Sequence, residues 1–492
     1  MTGRNKAKNK VLTLVLALLL TGTFLLSAAA ENIPYAGYSY DEWNVAIPSK
    51  VGYLPTEVYY GDVEKSELFT APEDFYIDQN GTIYVLDTGN NRIVVLDKDF
   101  HLVKTLDSFT LPDESSYYLS DPKGIFVKDQ LLYIADYENL SVIVSDMEGN
   151  IKLQITKPDN QTFPQASEFR PQRVLVDSQG NIYVLVLGVY QGAAVFNKSG
   201  EFTDFFGSNT VKPTVSLLMD QLWKKLMNKT QQDQITNYVP VQFNSFDVTE
   251  DDFIYSCTGS NNREPSELRR INPKGDNLWS GIAQGDLEIG RYKGNSYPSN
   301  FVDVAVTEDD FLFALDSTKG RIFLYDPEGT LVFAFGGKGS QKGTFASPVA
   351  IENCDEKVLV LDKSKSSITI FEPTSYGSMV NEALRLYTDG NYDGSRALWE
   401  AVLREDGNMF TAYVGIGKAL YYSGDYKESI QYFREGKARA NESKAVKEYR
   451  SAMLRAAFPY FMTGLCIVLV LLAVLWIVRR RRRKKGGDGR HA

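Results

Sequence analysis

At 492 residues, with ordinary hydrophobic content and abundant Tyr and Phe, the chain is too long for one small domain and can fill two or three β-rich cores. Two His and three Cys exclude a disulfide framework, and neither Cys257 nor Cys354 has a Cys or His at ligand spacing, so a zinc site or a thiol–histidine dyad has no local support. The net charge is −9; between residues 31 and 458 there are 41 basic and 61 acidic residues, a balance near −20 that argues against nucleic acid as a partner.

In chain order, Arg4, Lys6, Lys8 and Lys10 precede the apolar run "VLTLVLALLLTGTFLL", and small residues follow at Ala28 and Ala30. This is the order of a secretory signal peptide over residues 1–30, cut after Ala30. Next come six related units. Each has a Pro, an apolar strand, a Gly/Asp turn and a second strand, as in "APEDFYIDQNGTIYVLDTGNNRIVVLD". The marker prolines are Pro72, Pro122, Pro171, Pro240, Pro298 and Pro348. Each interval holds four short strands, which predicts a six-bladed all-β propeller. The last unit runs out after three strands, and the Tyr-rich stretch Tyr35–Tyr60 is expected to supply the fourth and close the ring. Asp87, Asp136, Asp316 and Asp362 recur at one position and are expected to cap backbone N–H groups of a turn. Unit three has Leu187 there, and unit four has Cys257 nearby.

"GTIYVLDTGNNRIVVLD" resembles the NHL repeat, with its G-x-[IL]-Y-V-x-D and N-R-I-x-[VIL] pattern, over about residues 60–373. The resemblance implies a propeller spanning residues 31–373. It says little of function, because such propellers include binding modules, sensors and a few enzymes. A long third interval contains "TVSLLMDQLWKKLMNKTQQDQ", whose apolar residues Leu218, Leu222, Trp223 and Leu226 recur at helical spacing. A helical insertion is expected at about 207–238.

After Pro373 the pattern becomes helical. "EALRLYTDGNYDGSRALWEAVL" and "GKALYYSGDYKESIQYFREGKA" align at an offset of 34, with Tyr387, Gly390 and Tyr392 over Tyr421, Gly424 and Tyr426. The period and the small and aromatic positions resemble tetratricopeptide repeats, here over residues 379–458; the resemblance implies a short solenoid that binds a protein through Tyr387 and Tyr421 or lifts the propeller off a surface. Residues 459–478, "PYFMTGLCIVLVLLAVLWIV", carry no charge and predict a transmembrane helix of about 30 Å. "RRRRRKK" follows in the basic tail 479–492, which the positive-inside rule keeps in the cytoplasm. Both ends predict a single-pass type I protein of the cell membrane, with its ectodomain outside.

No nucleophile elbow, phosphate loop or HExxH is present, and His101 and His491 lie in a strand-like stretch and in the tail, so a histidine base is not expected. Residues at the starts of the innermost strands form the expected channel mouth: Glu73, Asp74, Lys123, Arg173, Gln242 and Asn300. The ring mixes signs and suits a polar or anionic ligand; no resident cofactor is expected. The resemblance as a whole is to membrane-anchored bacterial NHL-repeat proteins and implies a non-catalytic binding, scaffold or sensing ectodomain, an accessory of a membrane transport or envelope complex. The alternative is a metal-dependent lactonase of the gluconolactonase (SMP-30-like) type, with a divalent cation held by carboxylates in the channel.

Overall fold

Short apolar strands broken by Asp/Asn-x-x-Gly turns make each unit an up-and-down sheet. In the first unit Asp74–Ile77, Ile83–Asp87, Arg92–Leu96 and Leu102–Leu106 pair in sequence order, all antiparallel. The turns are built alike: the side-chain oxygen of the leading residue accepts the backbone N–H two and four residues on. Asp78, Asp146, Asp177, Asn197, Asn272 and Asp326 all do this. These side chains supply what the turn backbone lacks.

The computed structural model describes residues 33–487 apart from 41–42, 44, 63–66, 208–241, 261–266, 283 and 287–298. The signal peptide, Pro240, Pro298 and the helical insertion, save Gly207, lie outside the described residues.

Six sheets stand around one axis. Their innermost strands are Asp74–Ile77, Pro122–Lys128, Pro171–Val176, Phe243–Val248, Phe301–Val306 and Pro348–Cys354, and each of these neighbours the next in a closed ring. Blades 1, 2, 3 and 5 have four strands from consecutive sequence, and blade 4 has three among the described residues. Blade 6 takes its outermost strand from the N-terminal side: Tyr53–Tyr59 pairs antiparallel with Ser367–Pro373, as the missing strand predicted. The core lies between blades, where Phe75, Ile83, Val85 and Ile93 of blade 1 and their counterparts are buried.

The recurrent aspartates do cap: each caps the loop that enters its own blade, and Asp316 and Asp362 also accept from the turn that follows, at Thr318 N, Lys319 N and Lys365 N. Asp87 accepts from Thr70 N, Asp136 from Ser120 N, Asp316 from Asn300 N, and Asp362 from Ala346 N and Ser347 N. All four are fully buried. Strand register corrects the reading of unit three. The residue paired as Asp136 is with Pro122 is Val186, opposite Pro171, rather than Leu187; in unit four it is Thr258, opposite Phe243 and next to Cys257. Asp136→Ala removes the acceptor for Ser120 N, Tyr117 Oη and Asn139 Nδ2 together. It is expected to cost about 1–3 kcal/mol in urea unfolding, with Asp136→Asn costing less.

Two compact units divide the chain at Ser378/Met379, inside the first of five α-helices among the described residues: α1 Ser375–Thr388, α2 Tyr392–Glu405, α3 Phe410–Tyr422, α4 Tyr426–Glu435 and α5 Arg439–Gly487. The second unit repeats its packing at the 34-residue offset. Ser395 Oγ donates to Ala383 O, and Ser429 Oγ to Gly417 O. Trp399 and Phe433 are both buried, against Gly415 and Gly417, where an added Cβ would meet ring atoms at 2.4 and 2.6 Å. Gly390 and Gly424 end their helices at φ +78° and +90°, a conformation in which a side chain is strained. α5 packs on α4 and then continues as an exposed helix long and apolar enough to cross a membrane.

Candidate functional site

The innermost strand of every blade is a sheet edge whose free N–H and C=O groups face the channel. Five of these strands carry a register shift after their first residue. The shift puts equivalent residues at one level of the channel: Asp74, Gly124, Arg173, Ser245, Asp303 and Ala350. Charged side chains from blades 1, 3 and 5 alternate with small residues from blades 2, 4 and 6. A Cβ at Gly124 would lie 2.7 Å from Gln172 O, so that position has no room for more. Two residues further on, at the next level, stand Tyr76, Phe126, Leu175, Asp247, Ala305 and Glu352.

The carboxylates of these levels satisfy the neighbouring blade's edge. Asp74 Oδ2 accepts from Ile125 N at 2.9 Å, Asp303 Oδ2 from Ile351 N at 2.7 Å, and Asp247 Oδ2 from Val306 N at 2.8 Å. Arg173 does the complementary work for carbonyls. Its guanidinium donates to Lys123 O and, at 3.3 Å, to Val349 O of the opposite blade, and it lies 3.6 Å from Asp74 Oδ2. Arg173 thus crosses the channel and closes it at this level. Its Nε is buried without a partner. Glu352 accepts no hydrogen bond from the described residues.

Four acids and one Arg set the electrostatics of the channel. Burial pushes the Asp247 carboxyl up to about 7 against the pull of its two backbone N–H partners. Burial also raises Asp74 and Asp303, with Arg173 drawing both back. Glu352 is raised well above the ordinary range, first by burial and then by Asp247, Asp303 and Asp74. Burial opposes the charge of Arg173, yet Asp74 and Asp303 outweigh it and hold the guanidinium ionised.

At the channel mouth Glu73 sits between Lys123 Nζ at 2.7 Å and Lys363 Nζ at 2.5 Å. Burial works against its charge, but the two lysines prevail and keep the carboxyl below its usual range. Gln242 and Asn300 are engaged with backbone and neighbouring loops. Gln242 donates to Val186 O and accepts from Gly188 N, joining blades 3 and 4. Asn300 Oδ1 accepts from Ser260 N, joining blades 4 and 5. Of the six residues expected at the mouth, the structure therefore brings Glu73, Asp74, Lys123 and Arg173 together and uses the other two as ties.

Sequence reasoning missed Lys363, Asp247, Asp303, Glu352 and Tyr76. A signal for Asp303 was available: it interrupts an otherwise apolar innermost strand, "FVDVAV". His101, expected in a strand, lies in the turn led by Asp97. Asp97, Asp99 and His101 bring three potential ligand atoms within 4.8 Å of one another on the surface. The six turns built the same way without a histidine make this a turn motif. In the helical unit, Tyr387 and Tyr421 belong to one aromatic cluster with Tyr392, Tyr422 and Tyr426.

Residues 69–96, the first blade, match the NHL repeat. Among solved structures the chain is similar to virginiamycin B lyase from Staphylococcus aureus (10% identity, TM-score 0.40, covering 66% of this chain and 99% of that one). It is similar to a streptogramin B lyase (10%, 0.41, 66% and 100%) and to a protein of unknown function from Bacteroides thetaiotaomicron (14%, 0.39, 63% and 71%). The matched repeat and the ring of six sheets make the first unit a six-bladed β-propeller carrying an NHL repeat.

Proposed function

We propose that the chain is a non-catalytic, membrane-anchored binding and scaffold protein, an extracytoplasmic accessory of a membrane transport or envelope complex. The observation that carries this reading is the commitment of the channel's polar groups to the propeller itself. Asp74, Asp247 and Asp303 are held by backbone N–H groups, and Arg173 closes the lumen against the carbonyls of two other blades. A lactonase cation needs several carboxylate or amide oxygens at about 2.3–2.6 Å. No three carboxylates in the described channel approach within 4.8 Å of one another, and Arg173 stands beside two of them. The residues present do not fit such an ion. Binding then falls to the outer surfaces, as in many propellers and helical repeats. The long apolar helix followed by seven cations supports a single span with the tail in the cytoplasm. The repeated helical hairpins support a tetratricopeptide-like stack, which in sequence lies between the propeller and the span.

The test is made on the full-length protein purified from membranes without chelator. Negligible bound Ca, Mn and Zn, a melt indifferent to EDTA, and a co-purifying multispan membrane protein are expected. Gly415→Leu, which drives a side chain into Trp399, should release that partner. A stoichiometric metal whose removal lowers the melting temperature would overturn the non-catalytic reading.

A further inference from the structure

We propose that the tyrosine-bearing end of the helical unit rests on the bilayer surface, with Tyr387, Tyr392, Tyr422 and Tyr426 seated among lipid headgroups. The inference depends on the membrane-anchored reading above and extends it to a specific contact face.

The cluster is built at the turns joining α1 to α2 and α3 to α4. Tyr392 and Tyr422 stack with ring centroids 5.3 Å apart and planes at 18°, and Tyr387 lies 5.8 Å from Tyr392 and 6.1 Å from Tyr422. Tyr421 links Tyr422 to Tyr426 at 5.3 and 5.4 Å. Lys418 Nζ stands 5.4 Å from the Tyr387 ring. Tyr422 is 58% exposed although it is at the centre of these contacts. A surface of packed amphipathic rings with a cation beside it is the composition that concentrates at membrane–water interfaces.

The course of α5 gives the cluster its place. At its first turn α5 is tied to the far end of α4, through Arg434 and Glu442 at 2.8 Å. It then runs back along α4, burying Ala445 and bringing Glu448 close enough to perturb the Tyr421 hydroxyl. α5 therefore heads toward the tyrosine end. From Ala452 to Arg481 every residue of α5 is exposed, so the helix leaves the repeat body about level with the tyrosines. Residues 456–478 carry no charge and rise about 35 Å, enough for a hydrocarbon core of about 30 Å. From Ser451 to Ala456 the helix climbs about 8 Å, the depth of one headgroup layer. Exposed Lys444, Lys447 and Arg450 sit just above it, suited to lipid phosphates. The spacing places the rings at the interface, with the opposite end of the repeats, at Lys437, held away from it.

The experiment uses the full chain in phosphatidylcholine nanodiscs, with bimane on a single accessible cysteine in a Cys354→Ser background that keeps the buried Cys257. Cys466, native to the apolar run, reports insertion. Tyr422→Cys and Asp389→Cys report the tyrosine end, and Lys437→Cys the far end, each with Cys466→Ala. Nitroxide on the lipid headgroup should quench positions 422 and 389 several-fold more than 437, while nitroxide on the acyl chain quenches Cys466. Equal headgroup quenching at 422, 389 and 437 with Cys466 embedded would overturn the contact face alone. Absence of acyl-chain quenching at Cys466 would overturn the anchor, and the contact face with it.

Discussion

Arg173→Met should destabilise the propeller by about 3–5 kcal/mol, the scale on which a buried ion pair fails when one partner is removed. Three losses coincide at that residue. Asp74 and Asp303 lose the cation that favours their ionised form, and each must take up a proton or hold an unpaired buried charge. Lys123 O and Val349 O lose a donor where water enters with difficulty. The link between blade 3 and the opposite blade disappears. Methionine fills much of the volume, which separates these losses from a packing defect. Arg173→Lys keeps the charge without the planar fork and should fall between the two. The measurement is urea unfolding followed by near-ultraviolet circular dichroism, a signal weighted toward packed aromatics. Adding Asp74→Asn to Arg173→Met should recover part of the loss by removing one orphaned charge. A midpoint for Arg173→Met close to wild type would mean that the guanidinium does not hold the channel together.

The repeat, the blade number and the closing strand were legible because each rests on local chemistry that recurs. The Asp/Asn-led turns fix hairpins, and the short last unit demanded a donated strand, which Tyr53–Tyr59 provides. The helical hairpins were legible for the same reason, since Gly390 and Gly424 mark the turns and Trp399 and Phe433 the packing. The channel was less so. The strand starts place Asp74 and Arg173 at the facing level, but in blades 2, 4 and 5 the facing positions lie one to three residues further on, at Gly124, Ser245 and Asp303, and the next level lies two residues deeper, at Asp247 and Glu352. Gln242 and Asn300 looked like lining residues because nothing in one unit's sequence shows that a neighbouring loop will take its amide. Arg173 was named from its position, but its reach to Val349, 176 residues away, depends on a closed ring that no single unit encodes.

The same channel predicts that the propeller is most stable at mildly acidic pH. Asp247 has a folded pKa of about 7, and Asp74, Asp303 and Glu352 are shifted in the same direction by burial. An unfolded carboxyl titrates near 4. Between about pH 4 and pH 7 the folded channel therefore holds protons that the unfolded chain has released, and stability falls as pH rises. The contribution is complete below the unfolded pKa and is lost as pH passes the folded one. Each fully shifted group gives a slope of at most about 1.4 kcal/mol per pH unit within that window. Glu73 and Asp286 act oppositely. Their lysine and arginine partners lower them, so their contribution is lost only as pH falls below the ordinary carboxyl range. The two effects occupy different windows and leave a maximum near pH 4–5. Asp247→Asn keeps an acceptor for Val306 N and removes one titration, so unfolding midpoints for this variant should vary less between pH 5 and 7 than those of the wild type. Identical pH profiles would show that Asp247 ionises freely in a hydrated channel. A flattened profile would show that Asp247 binds its proton far above the ordinary carboxyl range in the folded channel.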